Sequence, residues 1–171
     1  ASEPPASSIE REYLGVLTIP ALGLELPVQT EWSKANLKVS PCRQCGSTAG
    51  GDLVIAAHNY KSHFGRLSSL SEGDEVRFTS QDGAEAVYTV ERTAQVSPEE
   101  PEALREGGCP LVLYTCTPGG KARVVVYCQR ENAAWKNRRG KLQAFRSCFW
   151  SLFNLHRNRS SPEQGKTLRW S

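Results

Sequence analysis

Two kinds of apolar pattern run along this chain. In Tyr13–Pro20 and Leu24–Val28, and again in Glu75–Thr79 and Ala86–Ala94, apolar residues are interleaved with polar ones. Alternation at a period of two predicts strands with one face in a core. In Asp52–Ala57, Leu111–Thr115 and Arg123–Tyr127 the apolar and β-branched residues are nearly continuous, and these runs also predict strands. Turn chemistry separates the runs. Ala21-Leu22-Gly23 joins the first two, and Gln81-Asp82-Gly83 carries the Asp-Gly hairpin signal. Pro118-Gly119-Gly120 reads as a third turn, because proline presets φ and glycine accepts positive φ. Thr30–Val39 predicts a short helix and Ser40–Gly51 a loop. Gly65–Ser71 predicts a short turn or helix. Ser97–Gly108 predicts a short acidic helix opened by Ser97 and Pro98. Many short strands with little helix argue for an all-β fold, a closed or nearly closed, mostly antiparallel barrel.

Register sharpens the Pro-Gly-Gly hairpin. With Thr117–Ala122 as its loop, Cys116 and Arg123 oppose each other and project to one face. Opposed residues of an antiparallel pair have Cβ atoms roughly 4.5–5.5 Å apart. A fixed cation beside a thiol favours the nucleophilic thiolate, and the same cation stabilises an oxyanion. The plainer reading is a buried cysteine and a solvated edge arginine. The chemistry needs a base, and the chain has three histidines: His58, His63 and His156. His58 stands at the end of the Asp52–Ala57 strand, where scaffolds present reactive groups, and an imidazole with pKa near 6.5 exchanges protons at working pH. His63, five residues further on, is the fallback base.

Charge divides the chain. Residues 1–135 carry twelve Lys and Arg against seventeen Asp and Glu, a net of −5; residues 136–171 carry nine against one, a net of +8. In the basic segment Leu142, Phe145, Phe149, Leu152 and His156 recur at helical spacing among Lys141, Arg146, Arg157 and Arg159. An amphipathic helix on an anionic membrane surface is one expectation, a helix docked on the barrel or a disordered basic end the others. No stretch reaches the ~20 apolar residues of a membrane span. No nucleic-acid module is present, so nucleic acid is not an expected partner. The organisation expected is a linker over 1–12 (Pro-rich and polar at its start), a barrel over 13–132 and a basic, partly amphipathic tail over 133–171.

Six cysteines occur: Cys42, Cys45, Cys109, Cys116, Cys128 and Cys148. Cys42-Arg-Gln-Cys45 lacks the second pair of a structural zinc site, so no metal and no cofactor is expected. Cys128 reads as a core residue, and Cys116 as free. A disulfide involving the Cys42–Cys45 loop is left open.

Leu53-Val-Ile-Ala-Ala-His58-Asn59, then Leu113-Tyr-Thr115-Cys116-Thr117, then Arg123, resembles the sortases, cysteine transpeptidases of the Gram-positive cell surface. Tyr13-Leu-Gly-Val-Leu-Thr-Ile-Pro20, Leu26-Pro27-Val28, Ser62–Leu67 and Gly73–Val76 extend the likeness over roughly Tyr13–Gln129. The resemblance implies an eight-stranded barrel. It implies Cys116 as nucleophile, His58 as acid and base, and Arg123 on the substrate backbone or oxyanion. Thr115, Thr117 and Asn59 are substrate-binding candidates. The implied substrates are secreted proteins with Leu-Pro-x-Thr-Gly-like or Asn-Pro-x-Thr-like sorting signals. The implied acceptor is an amine of cell-wall precursor or pilin. The implied location is the outer face of the cell membrane, with a signal-anchor upstream. The loop of Ser97–Gly108 falls beside the implied substrate groove. Class cues divide. Thr-Cys-Thr-Pro resembles pilin-polymerising members, while His-Asn-Tyr and His-Phe-Gly resemble the class acting on Asn-Pro-x-Thr. A hydrolytic cysteine peptidase and a non-catalytic peptide-binding β-barrel are the competing readings.

Overall fold

The computed structural model describes residues 12–105 and 107–130. The expected tail and nearly all of the expected linker lie outside them. Eight strands close a barrel: β1 (Tyr13–Ile19), β2 (Leu24–Gln29), β3 (Cys42–Cys45), β4 (Leu53–Ala56), β5 (Glu75–Ser80), β6 (Glu85–Val96), β7 (Leu111–Cys116) and β8 (Arg123–Arg130). Their order round the barrel is β1-β2-β3-β4-β7-β8-β6-β5. β2–β3 and β4–β7 pair in parallel; every other neighbouring pair is antiparallel.

The turns follow from their residues. Gly23, at φ 63°, closes the turn after β1 and donates its N–H to the Pro20 carbonyl at 3.0 Å. Gly83, at φ 83°, turns β5 into β6, and the Asp82 carboxylate accepts the Ala84 N–H at 3.1 Å. Both reverse the chain within a few residues, so their strands pair with sequence neighbours.

Three expectations change. The Thr30–Val39 helix shrinks to α1 (Lys34–Leu37), capped by the Ser33 hydroxyl, which accepts the Asn36 N–H at 3.0 Å. The expected Ser40–Gly51 loop contains β3. This strand is four residues long, contacts β2 at the single pair Gln29↔Cys42, and is broken by a bulge between Arg43 and Cys45. It is too short and too polar to show a period. The acidic segment forms only a 3-10 turn, Pro101–Arg105, and its helix does not begin at Ser97. The Ser97 hydroxyl instead accepts the Glu99 N–H at 3.3 Å.

The two hydrophobic patterns correspond to two cores. The barrel interior holds Leu17, Ile19, Phe78, Leu53, Ile55, Leu111, Leu113, Val126 and Cys128, among others. A second cluster lies outside the barrel wall, where Val54, Ala56, Val112, Tyr114, Val125 and Tyr127 meet Leu104, with Trp32 and Leu37 packed against them. Strands β4, β7 and β8 are therefore buried on both faces, which is why their apolar runs are continuous. The outward residues of β5 and early β6 face solvent and alternate.

Gly15 on β1 fits a close approach to β5, since a Cβ there would lie 2.2 Å from the Thr79 carbonyl oxygen. Gly15→Ala is expected to destabilise the barrel by roughly 1–3 kcal/mol, because backbone must shift to admit the methyl. Urea unfolding of the two proteins, compared by midpoint, measures it.

Candidate functional site

Cys116 is the last residue of β7 and Arg123 the first of β8, and the two are register partners. The loop between them is tied across its base. The Thr117 N–H donates to the Ala122 carbonyl at 2.8 Å. The Thr117 hydroxyl donates to the same carbonyl at 3.1 Å and accepts the Ala122 N–H at 3.0 Å. Gly119 and Gly120, at φ 84° and 71°, take the left-handed positions that complete the turn.

His58 reaches the same place by a different route. β4 runs parallel to β7, with Leu53↔Leu111 through Ala56↔Tyr114 in register. The pairing continues past the strand end: the Ala57 N–H donates to the Tyr114 carbonyl at 3.2 Å, and the Thr115 hydroxyl donates to the Ala57 carbonyl at 2.8 Å. Extending this register by two residues sets His58 level with Cys116. Val54, Ala56, Val112, Tyr114 and Val125 all face the outer cluster. By the alternation of a strand, Cys116 and Arg123 continue these rows on the same outer face, and His58 follows the β4 row two residues past Ala56. His58, distant in sequence, is thus brought to the end of the barrel that carries the Cys116–Arg123 hairpin.

Their environments differ. Cys116 is exposed, His58 is half-buried, and Arg123 is 7% exposed. Among the described residues no carboxylate pairs with His58 or Arg123. The His58 ring instead stacks on Tyr60, with centroids 4.9 Å apart and planes at 26°. Tyr60 in turn leans on His63 at 5.5 Å. The loop carrying these rings closes on itself. The Phe64 N–H donates to the His58 carbonyl at 3.1 Å, and the His63 and Gly65 N–H groups both donate to the Tyr60 carbonyl at 2.9 Å.

His63 is 7% exposed, and its Nδ1 has no hydrogen-bond partner. Burial holds its pKa below the ordinary histidine value; the Val39 backbone opposes that and the nearby His58 adds to it. A buried imidazole that resists protonation is poorly placed to exchange protons with a substrate.

Two of the three substrate-binding candidates are engaged within the fold. Thr115 is 3% exposed, with its hydroxyl on Ala57, and the Thr117 hydroxyl clamps the hairpin. Asn59 is half-buried beside His58, and its carbonyl oxygen lies 2.6 Å from where a Gly65 Cβ would sit. Two residues that the sequence did not single out touch the trio: Tyr60 stacks on His58, and the Tyr114 ring lies beneath the Arg123 guanidinium. Tyr114 lies two residues before Cys116 and so shares its face, the one signal that would have found it.

The remaining described thiols are less available. Cys42 is fully buried, and burial pushes its pKa up to about 11. Burial also raises the pKa of Cys128, with Cys109 and Glu91 adding to the effect. The Cys109 thiol donates to the Glu91 carboxylate at 3.3 Å. Cys45 is half-buried, and Cys42, Cys45, Cys116 and Cys128 are free thiols. Cys148 lies outside the described residues. Among the described residues no group of three His, Cys, Asp or Glu side chains could hold a metal.

The model of one protein family, the Sortase domain, matches residues 17–131. Sortase A of Bacillus anthracis is 26% identical over 117 residues, covering 65% of this chain and 55% of that protein. The chain thus spans a little over half the length of that relative. Among solved structures, Sortase A from Corynebacterium diphtheriae is 25% identical with a TM-score of 0.62, over 76% of this chain and 66% of that one. Sortase C from Clostridium perfringens SM101 shares the fold at 23% identity and a TM-score of 0.62, over 77% of each chain.

His63 makes stability depend on pH. Its folded pKa lies below its unfolded value of about 6.5, so the unfolded chain binds more protons between the two. Its contribution is fully present above about pH 6.5 and is lost as pH falls toward the folded pKa. Chemical denaturation from pH 7.5 to 5 is expected to show this loss, and His63→Gln to flatten it.

Proposed function

The chain belongs to the sortase family, and from that membership we propose that it is a cysteine transpeptidase acting through Cys116, His58 and Arg123. The observation that supports this assignment is the register: Cys116 stands opposite Arg123, and the β4–β7 pairing, in register through Ala56↔Tyr114, leads the chain at His58 toward the level of Cys116.

The proposed chemistry is acyl transfer through a covalent intermediate. The Cys116 thiolate attacks the carbonyl carbon of a threonine in a Leu-Pro-x-Thr-Gly-like or Asn-Pro-x-Thr-like sorting signal. The carbonyl π pair moves to oxygen, and the Arg123 N–H groups stabilise that oxyanion or the adjoining substrate backbone. The oxyanion collapses, the C–N bond breaks, and the His58 imidazolium gives its proton to the departing amine. A thioester remains on Cys116. An incoming amine from cell-wall precursor or pilin then loses its proton to His58 and attacks the thioester, and Cys116 leaves as thiolate. Splitting one amide exchange into two easier steps is what a covalent nucleophile contributes, and the thioester retains the acylating power of the original bond. Thr115 and Thr117 serve this reading by fixing the strand ends. Asn59 remains the polar side chain next to His58 for a substrate contact.

Arg123 fits its part because no carboxylate among the described residues pairs with its guanidinium, so its N–H donors are not held by one. The proposed site of action is the outer face of the cell membrane. Among the described residues no helix is long and apolar enough to cross a membrane. Hydrolysis, with water as acceptor, would use the same residues.

The test is mass spectrometry of the reduced protein with pooled sorting-signal peptides, with and without a glycyl amine. Peptide joined to the amine is expected, with none from Cys116→Ala. His58→Ala is expected to lower the rate by roughly 10²–10⁴, and Arg123→Lys by about tenfold or more, since an ammonium does not reproduce the guanidinium fork. Cleavage that ignores the amine would replace transpeptidation by peptidase activity. Folded protein with an alkylatable Cys116 that gives neither adduct nor product would overturn both.

A further inference from the structure

Arg123 is almost entirely buried, yet no described carboxylate compensates its charge. Beneath it lies an aromatic ring. The guanidinium carbon stands 5.7 Å from the centroid of Tyr114, within the range at which a cation is attracted to a ring face. Tyr114 is 5% exposed, and its hydroxyl donates to Gln44 Oε1 at 3.0 Å.

The strand order gives this contact its meaning. Gln44 is on β3, Tyr114 on β7 and Arg123 on β8, and β4 lies between the first two. The β4 residue level with Tyr114 is Ala56, whose small side chain leaves room for a ring to lie across it. Gln44 is the extra residue of the β3 bulge, and a bulge turns a side chain away from its regular direction. A side-chain bridge therefore runs crosswise over four strands and ends under the guanidinium.

Two roles for the phenol can be separated. An ionised Tyr114 would act as a counter-ion, but burial raises its pKa and outweighs the lowering by Arg123. The ring is neutral at working pH. A carboxylate in its place would occupy the N–H donors of Arg123, whereas a ring face attracts the cation and leaves its edge free.

We infer that Tyr114, anchored by Gln44, is a positioning residue that seats the Arg123 guanidinium beside the Cys116 thiol. The inference takes Arg123 as the working cation of the proposed site, but its test needs no turnover.

The test is the rate of alkylation at Cys116, followed by peptide mapping, with iodoacetate and with the uncharged iodoacetamide. Both reagents consume the same thiolate, so the ratio of their rates cancels its population and reports the local positive potential. Arg123→Ala is expected to lower the ratio by about tenfold, the order of a close charge pair in a partly screened site. Tyr114→Leu is expected to lower it by about threefold, and to lower it no further in the Arg123→Ala background. Tyr114→Phe, which keeps the ring but loses Gln44, and Gln44→Leu, which removes the anchor, are expected to give equal, smaller losses. These two variants decide the matter if Tyr114→Leu does not fold. A wild-type ratio in folded Tyr114→Leu would overturn the inference. So would a loss of the same size with Arg123 already removed. Absence of transpeptidation would leave this ratio readable, so the two readings fail separately.

Discussion

The site depends on the parallel contact between β4 and β7. A hairpin pairs neighbours in sequence and needs only a good turn. The β4–β7 pairing joins segments more than fifty residues apart, and it must hold its register to the last residue to bring His58 level with Cys116. Parallel pairs are slightly less stable per residue than antiparallel ones, and strand ends fray first. The protein meets this at the vulnerable point. The Ala57 N–H and the Thr115 hydroxyl both bond across the gap after the last strand pair, and Thr115 does so in a buried setting, where an unpaired carbonyl would cost about 1–3 kcal/mol. A slip of one residue would turn His58 to the opposite face.

The second core gives that register its rigidity. Leu104, Trp32 and Leu37 cover the outer faces of β4, β7 and β8, and the Tyr127 hydroxyl donates to the Ala103 carbonyl, tying the 3-10 segment to the wall. The cover stops short of Cys116, which is exposed at the end of an otherwise buried strand. The site thus stands on a packed floor while its thiol opens to solvent.

The two halves of the site were unequally legible in the sequence. The Cys116–Arg123 pair could be placed because Pro118, Gly119 and Gly120 mark a loop, and a loop of known length fixes register. His58 could be placed at a strand end, but not beside Cys116, since nothing local says that β4 and β7 are neighbours. Family likeness supplied that step. Strand β3 escaped because Cys-Arg-Gln-Cys has no period and its bulge interrupts what little alternation it has. Thr115 and Thr117 were visible as hydroxyls near a thiol; whether a hydroxyl faces substrate or a backbone carbonyl depends on register alone. Tyr114 looked like one more apolar residue of its run. Its importance comes from Ala56 and Gln44, which reach it only through the fold.

The distribution of thiols has a consequence for how the protein meets oxidants. Among the described residues the exposed cysteine is the one beside a cation, while Cys42, Cys109 and Cys128 are buried and Cys45 is half-covered. Sulfenic acid formation requires access to the sulfur, so among the described thiols Cys116 is the one most open to an oxidant. The described barrel holds together by packing and strand pairing, without a disulfide. A reductant can therefore restore the Cys116 thiol without loosening the described scaffold, and an oxidant can reach that thiol while the fold persists.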